Sequence, residues 1–141
     1  MAKFRFKLET LRQFRIGEAE EAKLAFSQAQ RSRFEMEDFL LELALRRRES
    51  LNESSISGYQ DRLALQNWMD NLDVQQQHGE AALMVLLDEE EACRQLWYER
   101  QQAADALEKL RVRHRQEFEL EQSRREQAQL DEWAVMRRRS A

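Results

Sequence analysis

Proline is absent from this 141-residue sequence, glycine occurs three times and cysteine once. A chain of this size ordinarily carries about 5% proline and about 7% glycine. Their scarcity removes the turns that sandwiches, barrels and alternating α/β folds require. A lone cysteine, Cys93, has no partner for an intrachain disulfide, so nothing points to an oxidising compartment. No apolar run approaches the ~20 residues of a membrane span, and the first residues lack the apolar core of a signal peptide. What is present is charge. Asp, Glu, Lys and Arg make up 35% of the chain, for a net charge of -4 at pH 7. So many charges with so few breakers predict long helices in one domain rather than a thick core.

From about residue 3 to 50, small and apolar residues recur at alternating steps of three and four. Ala19, Ala22, Phe26, Ala29, Met36, Leu40 and Leu43 form one stripe, interrupted by Arg33, and Leu8 and Leu11 begin a similar stripe in shifted phase. This is a seam near the ~3.5-residue period of packed helix pairs. The shift falls near Gly17, read as a tolerated surface glycine or as a point where a partner comes close. The sustained break runs from Ser50 to Gly58, where Ser and Asn side chains compete for backbone hydrogen bonds. Arg46–Arg48 just before it suit the negative end of a helix dipole. Ser57 or a neighbouring serine is a candidate cap for the next helix. Ser50 and Glu53 have capping-box spacing, consistent with a short extra turn.

From about 59 to 137 a second stripe follows: Leu86, Cys93, Leu96, Ala103, Leu107 and Leu110, with Glu89 and Arg100 in seam slots. Two long helices around a linker tip at about 51–58 predict an all-α fold, an antiparallel two-helix coiled-coil hairpin. The first helix would be roughly 70 Å long, and roughly 30 residues of the longer second helix would overhang it.

No catalytic constellation is evident, and no cofactor or metal is expected. His78 and His114 stand apart from any spaced ligand set. Cys93 lies on the apolar stripe as a packing residue, and Asp88-Glu89-Glu90-Glu91 spreads around a helix as a solvated face. The sequence pI of about 5.4 argues against a nucleic-acid binder. The two ends carry more information. Lys3, Arg5, Lys7, Arg12 and Arg15 open the chain, and Arg137–Arg139 close it. The closing arginines either compensate a helix dipole or form a basic tip for an acidic socket on a protein partner. Phe4 and Phe6 precede the first stripe, and Trp133 sits in the overhang with Leu130 and Val135, where uncovered apolar groups suggest a partner surface. Near the linker, Phe39, Leu40, Leu43, Trp68 and Leu72 outnumber the slots of a two-helix seam. They form either a locally thicker core or a second docking site.

These ends carry a resemblance. Phe4-x-Phe6-x-Leu8-x-Thr10-Leu11, with Arg15 and Glu18-x-x-x-Ala22, resembles the start of the flagellar export protein FliJ family. Arg124-Arg125-Glu126-Gln127-Ala128-Gln129-Leu130-Asp131-Glu132-Trp133-Ala134 resembles that family's end, with Ala128 where a Lys is usual. The resemblance implies a non-enzymatic, antiparallel coiled coil similar to the central stalk of rotary ATPases. It would be a cytoplasmic component of the flagellar type III export apparatus, peripheral to the inner membrane through its partners. The implied partners are the hexameric export ATPase, the cytoplasmic domain of the membrane export gate, and export chaperones. Phe4, Phe6, Leu130, Asp131, Glu132, Trp133, Arg137, Arg138 and Arg139 would serve the ATPase end. Phe39, Leu40, Leu43, Trp68 and Leu72 would serve the gate end. The alternative is a generic structural coiled-coil scaffold, against which the serines and Gly58 of the break argue.

Overall fold

The computed structural model describes residues 2–53 and 58–140, so the expected cap at Ser57 lies outside the described residues. Two helices account for nearly all of it: α1, Glu9–Glu53, and α2, Tyr59–Arg139. Among the described residues there is no strand. The helices pack against each other and divide into two compact units, Met1–Ala19 with Glu99–Ala141, and Glu20–Tyr98. Ala, Leu, Glu, Gln, Arg and Met, all good helix formers, dominate both helices. Pairs one turn apart reinforce the exposed faces, as in Arg46–Glu42 at 2.9 Å and Arg125–Glu121 at 2.8 Å.

In the unit of residues 20–98 the α1 stripe lies where the three-four spacing puts it. Ala22 and Leu43 are buried, and Phe26, Ala29, Met36 and Leu40 are half-buried. Arg33 keeps its place in the seam because α2 supplies Glu90 opposite. The guanidinium also bonds Glu37 at 2.9 Å and lies 4.3 Å from the Phe34 ring centre. The two carboxylates raise the pKa of Arg33, Glu90 first, through their hydrogen bonds. Leu43, Met69 and Leu72 form the buried cluster, with Leu40 and Leu65 packed on it. Arg33 pairs with Glu90, and Arg47 farther along α1 pairs with the earlier Asp73 at 2.5 Å, so the helices run antiparallel.

On α2 the seam departs from its expected line in part. Leu86, Cys93, Arg100, Ala103, Leu107 and Leu110 are half-buried as expected, but Glu90, Trp97 and the buried Ala104 join them, while Glu89 and Leu96 face solvent. Steps of four then three, and of three then four, share every seventh residue. The packed frame is the one that lets Trp97 stack on Phe26 (centres 5.6 Å apart, planes at 27°) and brings Glu90 to Arg33. Gly79 is where the Leu40 side chain of α1 comes close to the α2 backbone. A Cβ there would stand 2.6 Å from Leu40 Cδ2, whereas nothing lies within 4 Å of one at Gly17, which is therefore a tolerated glycine.

In the unit of residues 1–19 and 99–141, Ala19 and Ala104 are buried, again small residues in an antiparallel seam. A charged cluster crosses this seam. Arg12 bonds Glu9 at 2.7 Å and Glu108 at 2.9 Å, and Arg111 bonds Glu108 at 3.2 Å. Glu18 accepts from both Arg15 and Arg100. The Arg12 hydrogen bond holds the Glu9 carboxyl below its ordinary value.

Both ends of α1 differ from expectation. The helix starts at Glu9 rather than near residue 3, and the preceding residues form a non-helical strap. Phe4 and Phe6 both meet α2: Phe4 against Phe118 (centres 5.7 Å apart) and Phe6 edge-on to His114 (5.6 Å). A helix would turn residues two apart to nearly opposite sides, so this pair requires extended chain. At the other end α1 continues to Glu53, taking in Ser50 to Glu53. Arg46–Arg48 therefore precede the last turn, which contains no basic residue.

Candidate partner-binding ends

The expected ATPase-end residues fall into two environments. Phe6 is buried at 8% exposure and Phe4 is half-buried, so their rings hold the strap on α2. Leu130, Asp131, Glu132, Trp133 and Arg137–Arg139 all lie exposed on α2. Past Phe118 and Gln122, the last half-buried positions, every described residue of α2 is exposed, including Leu130 at 61%, Trp133 at 62% and Met136 at 67%. The overhang therefore begins near residue 123. It is shorter than expected because extended chain covers more of α2 per residue than helix does.

Leu130, Trp133 and Arg137 share a face, from which Asp131 and Glu132 are turned away. Glu126, Gln129, Leu130 and Trp133 line one open depression, and Trp133, Met136, Arg137 and Ser140 line the next. The Arg137 guanidinium lies 5.3 Å from the Trp133 ring centre. Arg137–Arg139 occupy the last turn of α2, where positive charge suits the dipole. The charge of this unit is distinctive. It holds 15 Lys and Arg against 11 Asp and Glu, whereas the unit of residues 20–98 holds 8 against 16. The acidic pI of the whole chain thus conceals a basic end.

The residues expected at the gate end also divide. Leu43 and Leu72, each 3% exposed, are core, and Leu40 packs against them. Phe39 and Trp68 remain open at 40% and 44%. Trp68 is fixed at its tip, where Nε1 donates to Ser50 Oγ at 2.8 Å. The surplus of large side chains near the linker is therefore in part a thicker core, with two aromatic rings left on its surface. Met69 belongs to that core and was missed, although it stands one turn before Leu72.

The remaining sequence candidates are dispersed. His114 edges Phe6 and His78 is exposed, while Cys93 is half-buried in the seam. Of the four consecutive acids, Glu90 meets Arg33, Glu91 meets Arg94, and Asp88 and Glu89 face water. Among the described residues no group of three or more His, Cys, Asp or Glu is placed to hold a metal, and no helix is long and apolar enough to cross a membrane.

Comparison with known proteins agrees with both end motifs. A family model described as "Flagellar FliJ protein" matches residues 4–141. Neither the curated proteins nor the solved structures gave a match. The family match begins at Phe4 of the strap and continues through the uncovered end of α2, nearly the whole chain, and so this protein is a component of the flagellar export apparatus and belongs to the flagellar FliJ family.

Proposed function

We propose that the chain is a non-enzymatic component of the type III export machinery that seats its basic unit in the hexameric export ATPase. The supporting observation is the stretch of α2 beyond Gln122. There Leu130, Trp133 and Met136 lie uncovered beside Arg137–Arg139. Apolar groups rimmed by charge on a helix without a neighbour have the composition of a partner surface. The excess of cations in that unit favours an acidic socket and accelerates encounter with one. Phe4 and Phe6 contribute indirectly, because the strap they anchor sets where the uncovered stretch begins.

A single chain in a ring of six equal subunits makes those subunits unequal. It shifts their conformations only by its differential affinity among them. Stimulation of ATP hydrolysis then comes from binding, with every catalytic group supplied by the ATPase. Phe39 and Trp68, exposed over the Leu43–Met69–Leu72 core, are assigned to the cytoplasmic domain of the export gate, and export chaperones are the third class of partner. With these partners the chain would work at the flagellar base, peripheral to the membrane.

Pulldown of the purified chain with the ATPase and with the gate domain tests the assignment. Replacing Arg137, Arg138 and Arg139 by Glu should weaken ATPase binding and reduce its salt sensitivity while leaving gate binding intact. Phe39→Ala should do the reverse. Capture of neither partner by the wild-type chain rejects the proposal.

A further inference from the structure

The uncovered stretch of α2 begins where an occupied seam ends. Arg111, Phe118 and Gln122 are the last half-buried positions of that seam, with Phe118 covered by Phe4. Beyond Gln122, residues Glu126, Gln129, Leu130, Trp133, Met136, Arg137 and Ser140 line two adjoining depressions. The covering chain thus runs out while apolar residues continue along α2.

The order of residues along this face is self-complementary. Glu126 stands four positions before Leu130, Leu130 three before Trp133, and Trp133 four before Arg137. Laid antiparallel on a copy of itself about a two-fold axis between Leu130 and Trp133, the series reads the same in both directions. Glu126 then opposes the partner's Arg137, and Leu130 opposes the partner's Trp133, each contact occurring twice. Asp131 and Glu132 point away from this line, because steps of one and two residues turn a helix by about 100° and about 200°. Among the described residues Glu126 has no ion-pair partner, and the Arg137 guanidinium has the Trp133 ring beside it. Both charges are therefore available.

We infer that the uncovered end of α2 pairs with a second copy of this chain, as an antiparallel two-fold pair through Glu126, Leu130, Trp133 and Arg137. A contact of a few helical turns falls below the ~1,200 Å² of stable interfaces. The pair is accordingly a reversible dimer, present at high concentration and dispersed on dilution. It covers Leu130, Trp133 and Arg137, so it excludes the ATPase contact proposed above and acts as an idle form. The inference does not depend on that assignment, because the purified chain alone reports it.

Sedimentation velocity of the full chain across a concentration series tests it, with circular dichroism confirming that each variant stays helical. The wild-type chain should pass from monomer to dimer, and Trp133→Ala should remain monomeric. Glu126→Arg and Arg137→Glu should each raise the dissociation constant about tenfold or more, since each places like charges together twice. An equimolar mixture of these two variants should dimerise again, because every cross pair is then opposite in sign. A monomer at all concentrations would overturn the inference and leave the face to another partner. So would a dimer that Trp133→Ala and both reversals leave unchanged, or reversals that fail to restore each other in the mixture.

Discussion

Glycine inside a helix costs about 1 kcal/mol relative to alanine, so Gly17 and Gly79 each offer the same gain on substitution. Their surroundings separate them. Nothing lies within 4 Å of a Cβ at Gly17, so Gly17→Ala should collect the propensity term in full, stabilising the chain by about 0.5–1 kcal/mol. At Gly79 the same Cβ would stand 2.6 Å from Leu40 Cδ2 and 3.7 Å from the Phe39 ring. Leu40 must then move, and it packs on the Leu43–Met69–Leu72 cluster. Overpacking of this kind costs about 1–3 kcal/mol. Against the propensity gain, Gly79→Ala should range from neutral to about 2 kcal/mol destabilising. Gly79→Leu should be worse again. Urea unfolding followed by circular dichroism at 222 nm reads both variants on one scale. Equal stabilisation by the two alanines would refute the close approach at Gly79. Destabilisation by Gly17→Ala would refute the open surroundings of Gly17.

Other substitutions divide in the same way. Leu43→Ala and Leu72→Ala should each cost about 2–5 kcal/mol by leaving cavities in the buried cluster, whereas Phe39→Ala should cost under about 1 kcal/mol; denaturant midpoints compare the three. Removing Arg33 alone should lower the melting temperature, because Glu90 then stays in the seam without its cation. Arg33→Met combined with Glu90→Met should recover much of the loss, an outcome that a double-mutant cycle measures. The lowered pKa of Glu9 means that its contribution is present above the ordinary carboxylate range and disappears as pH falls through the lower folded value. Thermal melts should therefore lose stability on acidification below about pH 4, and Glu9→Gln should flatten that slope.

The first helix was largely legible because its stripe uses one consistent spacing from Ala19 to Leu43, and even Arg33 fell in its slot. The second was harder. Leu86, Cys93, Arg100 and Leu107 belong to two frames at once, and Leu96 and Trp97 are both apolar, so only the facing residues Phe26 and Arg33 decide between them. The strap had a signal in the two-residue spacing of Phe4 and Phe6, which suits extended chain, but the charge alternating with it reads equally as a helix start. Gly79 carried no signal, because close approach depends on what stands opposite. At the candidate ends, charge and aromatic position pointed to stretches of chain that leave some large side chains exposed. Which side chains there were exposed depended on packing: Leu43 and Leu72 went to the core while Trp68 stayed at the surface.

ATP hydrolysis by the purified export ATPase, measured with the full chain and with a chain ending at Gln122, tests the central claim most directly. The account predicts stimulation by the full chain and none by the shortened one, which keeps the strap contacts of Phe4 and Phe6. Equal stimulation by both would contradict it.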